Sequence, residues 1–83
     1  MGMRHSVTAS TTWRFSRGAE TVAITRLPVA NERWLLLIDG PSPQHRVEEC
    51  GDLVAAVLRQ AELERRLIDC GFCLEHVITH PVD

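Results

Sequence analysis

Two alternating segments joined by a short turn limit the folds open to this chain. Residues 11–16 and residues 21–27 each alternate β-branched or aromatic side chains with other side chains, which is typical of strands with one buried face. Gly18-Ala19 lies between them. A type II′ turn of two residues needs a positive φ at its first position, and glycine adopts this without steric cost. The pattern predicts an antiparallel hairpin in which Arg17 pairs with Glu20.

The faces of the two strands support this pairing. Phe15 falls opposite Val22 and Trp13 opposite Ile24, so these large apolar side chains share one face. The opposite face carries small and polar residues: Thr12, Arg14, Ser16, Thr21, Ala23 and Thr25. A slip of one residue would move every apolar side chain to the wrong face. The hairpin therefore predicts a sheet with one buried face.

A third strand is predicted over residues 33–38, after a turn marked by Pro28 and Asn31. Unlike the first two strands, it is apolar on both faces. A four-residue connection that pairs Leu27 with Glu32 places one apolar row in the core. A connection that is longer or shorter by one residue places the other row there.

The shorter apolar row, Leu35 and Leu37, is the one that the four-residue connection places in the core. Trp34, Leu36 and Ile38 then form an apolar row on the opposite face. Soluble monomers rarely expose such a row. The third strand is also predicted to lie at the edge of the sheet. It has no charged residue from residue 34 to residue 38, so it could pair with a strand of another chain. We therefore predict a homodimer with Trp34, Leu36 and Ile38 at its interface.

A helix is predicted from residue 53 to about residue 70. A break at residues 39–43 precedes it, and residues 45–50 fit either an extended segment or a helical lead-in. Asp52 is the predicted N-cap and Gly71 the predicted C-terminal stop. The stripe predicted to face the core consists of Leu53, Val54, Val57, Leu58, Ala61 and Ile68.

These elements predict an α+β fold, a meander of three antiparallel strands packed on one helix in the order β-β-β-α. Residues 72–80 fit either a short fourth strand or a loosely packed tail. The domain spans residues 11–83, preceded by a flexible N-terminal arm over residues 1–10. The predicted core consists of Trp13, Phe15, Val22, Ile24, Leu35, Leu37, Leu53, Val57, Ala61 and Ile68.

Composition and charge bear on location and partners. The chain has 83 residues, which suits a single domain, and 9 basic residues against 11 acidic ones. A formal charge of -2 does not favour a nucleic-acid-binding surface, which is usually strongly basic. No apolar run is long enough to cross a bilayer, and residues 1–10 lack the apolar middle of a signal peptide. We therefore predict a cytoplasmic protein with no membrane partner.

One motif has the spacing of metal ligands. Cys70 and Cys73 are followed by His76 and His80, the residue types that bind zinc. Structural zinc sites usually take their ligand pairs from two separate chain segments, whereas this motif lies in one. On a regular extended chain, Cys73 also points away from the two histidines. We predict no metal and no cofactor, and these residues are the candidates if a metal binds.

Catalysis and nucleic-acid binding have weaker support in the sequence. We find no nucleophile with a neighbouring base and orienting group, so we predict that the chain is not an enzyme. Trp13, Phe15 and Trp34 could stack on bases beside several arginines. The hairpin register instead places Trp13 and Phe15 in the core, which argues against nucleic acid as a partner.

The chain resembles a group of small uncharacterised bacterial proteins. The similarity covers residues 12–75 and is carried by Trp13-x-Phe15-x-Arg17-Gly18-x-Glu20, by the break at Asp39-Gly40-Pro41, and by a helix that ends at Gly71. The resemblance implies a hairpin, a third strand and one helix, and it implies no activity. The most consistent function is a non-enzymatic, homo-oligomeric protein-interaction module of otherwise undefined role. The alternative is a small zinc-binding or nucleic-acid-binding domain.

The predicted turn can be tested directly. Gly18→Val is expected to lower the free energy of unfolding by at least ~1 kcal/mol, because a β-branched residue is strained at positive φ. Thermal unfolding measures the difference. Equal melting temperatures for the variant and the wild type would contradict the hairpin register.

Overall fold

A computed structural model describes residues 9–40 and 45–81 as one antiparallel sheet with one helix. The elements are β1 (Ala9–Arg17), β2 (Glu20–Val29), β3 (Arg33–Asp39), β4 (His45–Cys50), α1 (Leu53–Asp69) and β5 (Cys73–Pro81). The strand order is β4-β3-β2-β1-β5. The α+β class is confirmed, with five strands in place of the predicted three or four.

Two predicted segments fall partly outside the residues that the structure describes. Most of the predicted arm, residues 1–8, lies outside the described residues, whereas Ala9 and Ser10 belong to β1. Residues 41–44, which include most of the predicted break, also lie outside the described residues. In the part of the chain that is described, no helix is long and apolar enough to cross a membrane.

The first hairpin has the predicted register. Arg17 pairs with Glu20, Phe15 with Val22 and Trp13 with Ile24. Gly18 has a φ of +60°, the positive value that the turn requires. The fully buried side chains of the hairpin all lie on the predicted face.

The connection between β2 and β3 differs from the prediction. A three-residue turn, Ala30–Glu32, joins the strands and pairs Leu27 with Leu35 rather than with Glu32. Asn31 and Glu32 both adopt left-handed backbone angles, with φ of 63° and 60°. Pro28 remains in β2 because the pairing of β2 with β1 ends at Arg26, so its missing N–H costs no bond to β1.

The shorter connection exchanges the two faces of β3. Leu36 is fully buried beneath the helix, and Trp34 and Ile38 pack against the same core. Leu35 and Leu37, predicted to lie in the core, face away from the helix, so that prediction is wrong. The three residues predicted at a dimer interface therefore lie on the helix-covered face. β3 is also not an edge strand, because β4 pairs along it.

The two edges of the sheet are β4 and β5. Residues 45–50, for which the sequence allowed an extended segment or a helical lead-in, form β4 and carry several charges. Residues 73–81 form the additional strand that was one of two alternatives, and they pair with β1. The register shifts between Arg14 and Phe15, where Glu75 is the extra residue of a bulge.

Both predicted ends of the helix are confirmed. The Asp52 carboxylate accepts a hydrogen bond of 2.8 Å from the N–H of Ala55, as an N-cap does. At the other end, Gly71 has a φ of +95°, and the N–H of Phe72 donates to the carbonyl of Leu67. This is a Schellman-type ending, in which a residue after the glycine packs back on the helix. Phe72 is accordingly buried in the core.

The core lies between the helix and one face of the sheet. It consists of Phe15, Val22, Ile24, Leu36, Cys50, Ala56, Leu63 and Phe72, with Trp13, Trp34, Ile38 and Leu67 packed against it. The core predicted from the first hairpin is therefore right. The helix residues predicted for it are wrong, because Leu53, Val57, Ala61 and Ile68 are exposed.

The left-handed turn yields a prediction about stability. Glu32→Gly is expected to raise the free energy of unfolding by up to about 1 kcal/mol, because glycine removes the steric cost of a positive φ. In a domain of this size, that corresponds to a shift of roughly 4–8 °C in melting temperature.

Ala30→Gly is the matched control in the same turn. Ala30 is exposed and is not among the described residues of positive φ, so glycine there adds only flexibility to the unfolded chain. Its melting temperature is expected to fall. If both variants shift in the same direction, the left-handed geometry of Glu32 is contradicted.

Candidate functional site

The helix meets the sheet through a narrow row of side chains. Ala56, Gln60 and Leu63 are buried, and Leu67 is partly buried. The helix packs mainly on β3 and β4. The small side chain of Ala56, which has no exposed surface, allows a close approach to the sheet.

Gln60 is the polar member of that row, and its hydrogen bonds are satisfied. Its Oε1 accepts a bond of 2.9 Å from Arg26 Nη1, and its Nε2 donates a bond of 2.8 Å to Glu64 Oε2. A buried amide is tolerated when its donors and acceptors have partners. These bonds also fix the rotation of the helix over β2.

The apolar stripe predicted to face the core points to solvent instead. We define the outer helix face by its residues: Leu53, Val54, Val57, Leu58, Ala61 and Ile68. Val54 is 67% exposed and Leu58 is 63% exposed. The helix is apolar around more than half its circumference, so periodicity alone did not decide which arc is buried. The polar contacts of Gln60 and Arg59 select the narrower arc.

The edge strand β5 adds apolar surface on the helix side of the sheet. Leu74 pairs with Phe15 and Val77 pairs with Trp13, so both side chains point toward the helix layer. They nevertheless remain 51% and 54% exposed, because the helix packs on β3 and β4, at the opposite side of the sheet from β5. The outer helix face and this part of the sheet thus open on the same side of the molecule.

An arginine lies between two tryptophans at the boundary of the helix and the sheet. The guanidinium carbon of Arg26 is 5.0 Å from the ring centre of Trp13 and 5.9 Å from that of Trp34. These distances are within the range of cation–π contacts. The aromatic surfaces considered for base stacking are therefore already in contact with an arginine of the same chain, and Phe15 is buried.

Sequence reasoning missed this arginine. Arg26 follows Val22 and Ile24 at intervals of two residues, so the alternation that placed those residues in the core also placed Arg26 on the same face. The signal was present in the strand pattern. What the pattern could not supply was the partner, because Gln60 comes from a helix 34 residues further along the chain.

A second arginine ties the first hairpin to the end of the helix. Arg17 binds the carboxylate of Glu20 at 2.6 Å, and its Nη1 donates to the carbonyl of Cys70. Its guanidinium also lies 4.5 Å from the ring centre of Phe72. Cations stabilise the carbonyl end of a helix, so this contact helps to terminate α1 against the turn.

The ion pair between Glu48 and Arg59 fixes the other flank of the helix. Arg59 Nε donates to Glu48 Oε1 at 2.7 Å, and Arg59 Nη2 donates to Glu48 Oε2 at 3.0 Å. The hydrogen bond from Arg59 holds the pKa of Glu48 below its ordinary value, and the same bond raises the pKa of Arg59. Two parallel bonds of this kind are stronger than a single contact.

The candidate metal ligands are spread along two elements. Cys70 is the C-cap of the helix, and Cys73 begins β5. Because of the bulge, Cys73 lies on the same face as His76 and His80, which corrects the expectation for a regular strand. Four residues of strand nonetheless separate the two histidines by about 13 Å, too far for one ion. Among residues 9–40 and 45–81, no three possible ligands are grouped around one point.

The third cysteine differs from the other two in its surroundings. Cys50 is buried at the end of β4, and burial raises the pKa of its thiol. A thiol with a raised pKa is a poor nucleophile because the reactive form is the thiolate. The side chain therefore acts as a small apolar residue of the core.

Comparison of the chain with known protein families, with curated proteins and with solved structures finds no match.

The ion pair predicts an acid-dependent contribution to stability. The folded-state pKa of Glu48 lies below its unfolded value, so the contribution is present above about pH 4.3 and is lost as the pH falls through the folded-state pKa. Glu48→Gln is expected to lower the free energy of unfolding by about 1–2 kcal/mol at pH 7. The difference from the wild type should shrink in thermal unfolding below that pH.

Glu62→Gln is the matched control, since Glu62 binds the same arginine. Its side chain is 65% exposed, compared with 26% for Glu48, so its ion pair is weaker. The control should change the melting temperature by much less. Equal effects of the two variants at pH 7 would contradict the assigned role of Glu48.

Proposed function

We propose that this protein is a non-enzymatic interaction module that works as a homodimer in the cytoplasm, with the outer helix face at the centre of its interface. The observation that carries the proposal is the exposure of large apolar side chains on that face, between 42% and 67% for its leucine, valine and isoleucine residues. Cys50, Cys70 and Cys73 are free thiols, as is typical of a reducing compartment.

The amount of exposed apolar surface fits a dimer. Five large side chains of the outer helix face together present on the order of 400 Å² of apolar surface. A standard interface buries about 800 Å² from each partner. The exposed side chains of Leu74 and Val77 on β5, together with a polar rim, supply further area on the same side of the sheet. One helix face and one strip of sheet are therefore needed from each subunit.

Two apolar residues of the outer helix face match each other across a two-fold axis. Val54 and Ile68 lie seven positions on either side of Ala61. An antiparallel pairing about a two-fold axis at Ala61 brings Val54 of one subunit opposite Ile68 of the other, and a closed dimer needs such an arrangement. The small side chain of Ala61 permits a short distance between the helix axes, which is roughly 8–10 Å in packed helices.

Charged residues at the rim of this face have both signs. Glu62, Arg65, Arg66 and Asp69 border Leu58 and Ala61 on the helix surface. About a two-fold axis at Ala61, Arg65 and Arg66 of one subunit lie opposite Val57 and Ala56 of the other, so these charges stay at the solvated rim. The rim therefore has the polar character that is usual around the apolar centre of an interface.

Sedimentation with paired variants tests the proposal. The wild type at micromolar concentration is expected to sediment with twice the mass of one chain, and Leu58→Glu is expected to convert it to a monomer because a buried unpaired charge is strongly unfavourable. Circular dichroism should show an unchanged helix content, because Leu58 is 63% exposed and is not a member of the core.

Val47→Glu is the control, because Val47 is also 63% exposed but lies on the other face of the sheet. This variant should remain dimeric. A wild type that stays monomeric at every concentration would falsify the homodimer. Dissociation by Val47→Glu but not by Leu58→Glu would instead place the interface on the sheet face that carries Leu35 and Leu37.

A further inference from the structure

A small cavity opens between the C-terminal half of α1 and the start of β4. Its volume is about 300 Å³, and Gly40 contributes to its wall without a side chain. The floor is apolar and is formed by Val22, Ile24, Ile38, Leu63, Leu67 and Phe72. Ile38 and Leu67 are the partly exposed residues of this floor, so the edge of the core meets solvent at this corner of the sheet.

The charged residues around this cavity all have the same sign. Arg17, Arg46 and Arg66 line it from three different elements, β1, β4 and α1. Within the described part of the chain, no carboxylate contributes to its lining. Because the whole chain has a formal charge of -2, this concentration of positive charge is a local property.

Two of these guanidinium groups have N–H donors that are available to a ligand. Arg66 takes part in none of the ion pairs among the described residues. Arg46 makes one contact of 3.3 Å with Glu48, whose carboxylate is held at 2.7 Å by Arg59. Arg17, in contrast, is fixed by its contacts with the turn and the helix end. Arg17 therefore lines the cavity beside two guanidinium groups that have fewer partners.

We propose that this cavity binds a small amphiphilic anion, with one carboxylate or phosphate group on an apolar body. A guanidinium group matches both anions with parallel hydrogen bonds, and an apolar floor favours a ligand that also buries hydrocarbon. A volume of about 300 Å³ holds roughly ten non-hydrogen atoms, at the lower end of the range for ligand pockets. Octanoate has this size.

This site and the proposed dimer interface share only Arg66, which lines the cavity and lies at the rim of the outer helix face. Arg46 and Ile38 lie beside the start of β4, whereas the outer helix face points away from the sheet. Leu58→Glu should therefore leave ligand binding unchanged. The experiment can therefore distinguish a failure of the proposed dimer from a failure of the proposed ligand site.

Titration calorimetry with octanoate tests the proposal, and octyl phosphate distinguishes the two headgroups. We expect saturable binding of at least one of these anions at one site per chain. Arg66→Gln and Arg46→Gln should each weaken that binding by at least about tenfold, because each removes a charged hydrogen-bond donor. The anion that binds more tightly identifies the headgroup.

Two controls make the result specific. Arg65→Gln changes a neighbouring arginine that does not line the cavity, and it should bind the anions as the wild type does. The neutral 1-octanol should bind at least tenfold more weakly than the preferred anion. Equal binding of 1-octanol, equal effects of Arg65→Gln and Arg66→Gln, or no binding of either anion at millimolar concentration would each overturn the proposal.

Discussion

The three-residue connection between β2 and β3 decides which side chains of this protein are inside. Side chains alternate along a strand, so a change of one residue in the connection exchanges the two apolar rows of β3. Asn31 and Glu32 adopt left-handed angles and close the turn with Val29 opposite Arg33. Leu36 consequently completes the core begun by the first hairpin, and both β4 and α1 pack according to that choice.

A single helix leaves part of this sheet uncovered. Ala56 and Leu63 bury the inner arc of α1, while polar contacts at its two flanks fix how the helix is rotated. The remaining apolar arc has no partner within the described part of the chain. A domain of this size buries a smaller share of its surface than a larger domain does, and association with a second copy would cover that arc.

Arginine supplies most of the long-range polar contacts between the helix and the sheet. Arg26 reaches Gln60, Arg59 reaches Glu48, and Arg17 reaches the carbonyl of Cys70. The planar guanidinium group can stack on an aromatic ring and donate hydrogen bonds at the same time, as Arg17 and Arg26 both do. The same chemistry at Arg46 and Arg66 supports an anion at the open corner of the core.

The sequence by itself determined the local elements: the first hairpin and its register, the helix with Asp52 and Gly71 at its ends, and the α+β class. These depend on neighbours in the chain, namely turn geometry, capping and the alternation of side chains. Only the tertiary structure decided which row of β3 and which arc of α1 are buried, because both elements are apolar on more than one side. There the choice was made by a left-handed turn, by Gln60, whose partner Arg26 lies 34 residues away, and by the pairing of Glu48 with Arg59 of the helix.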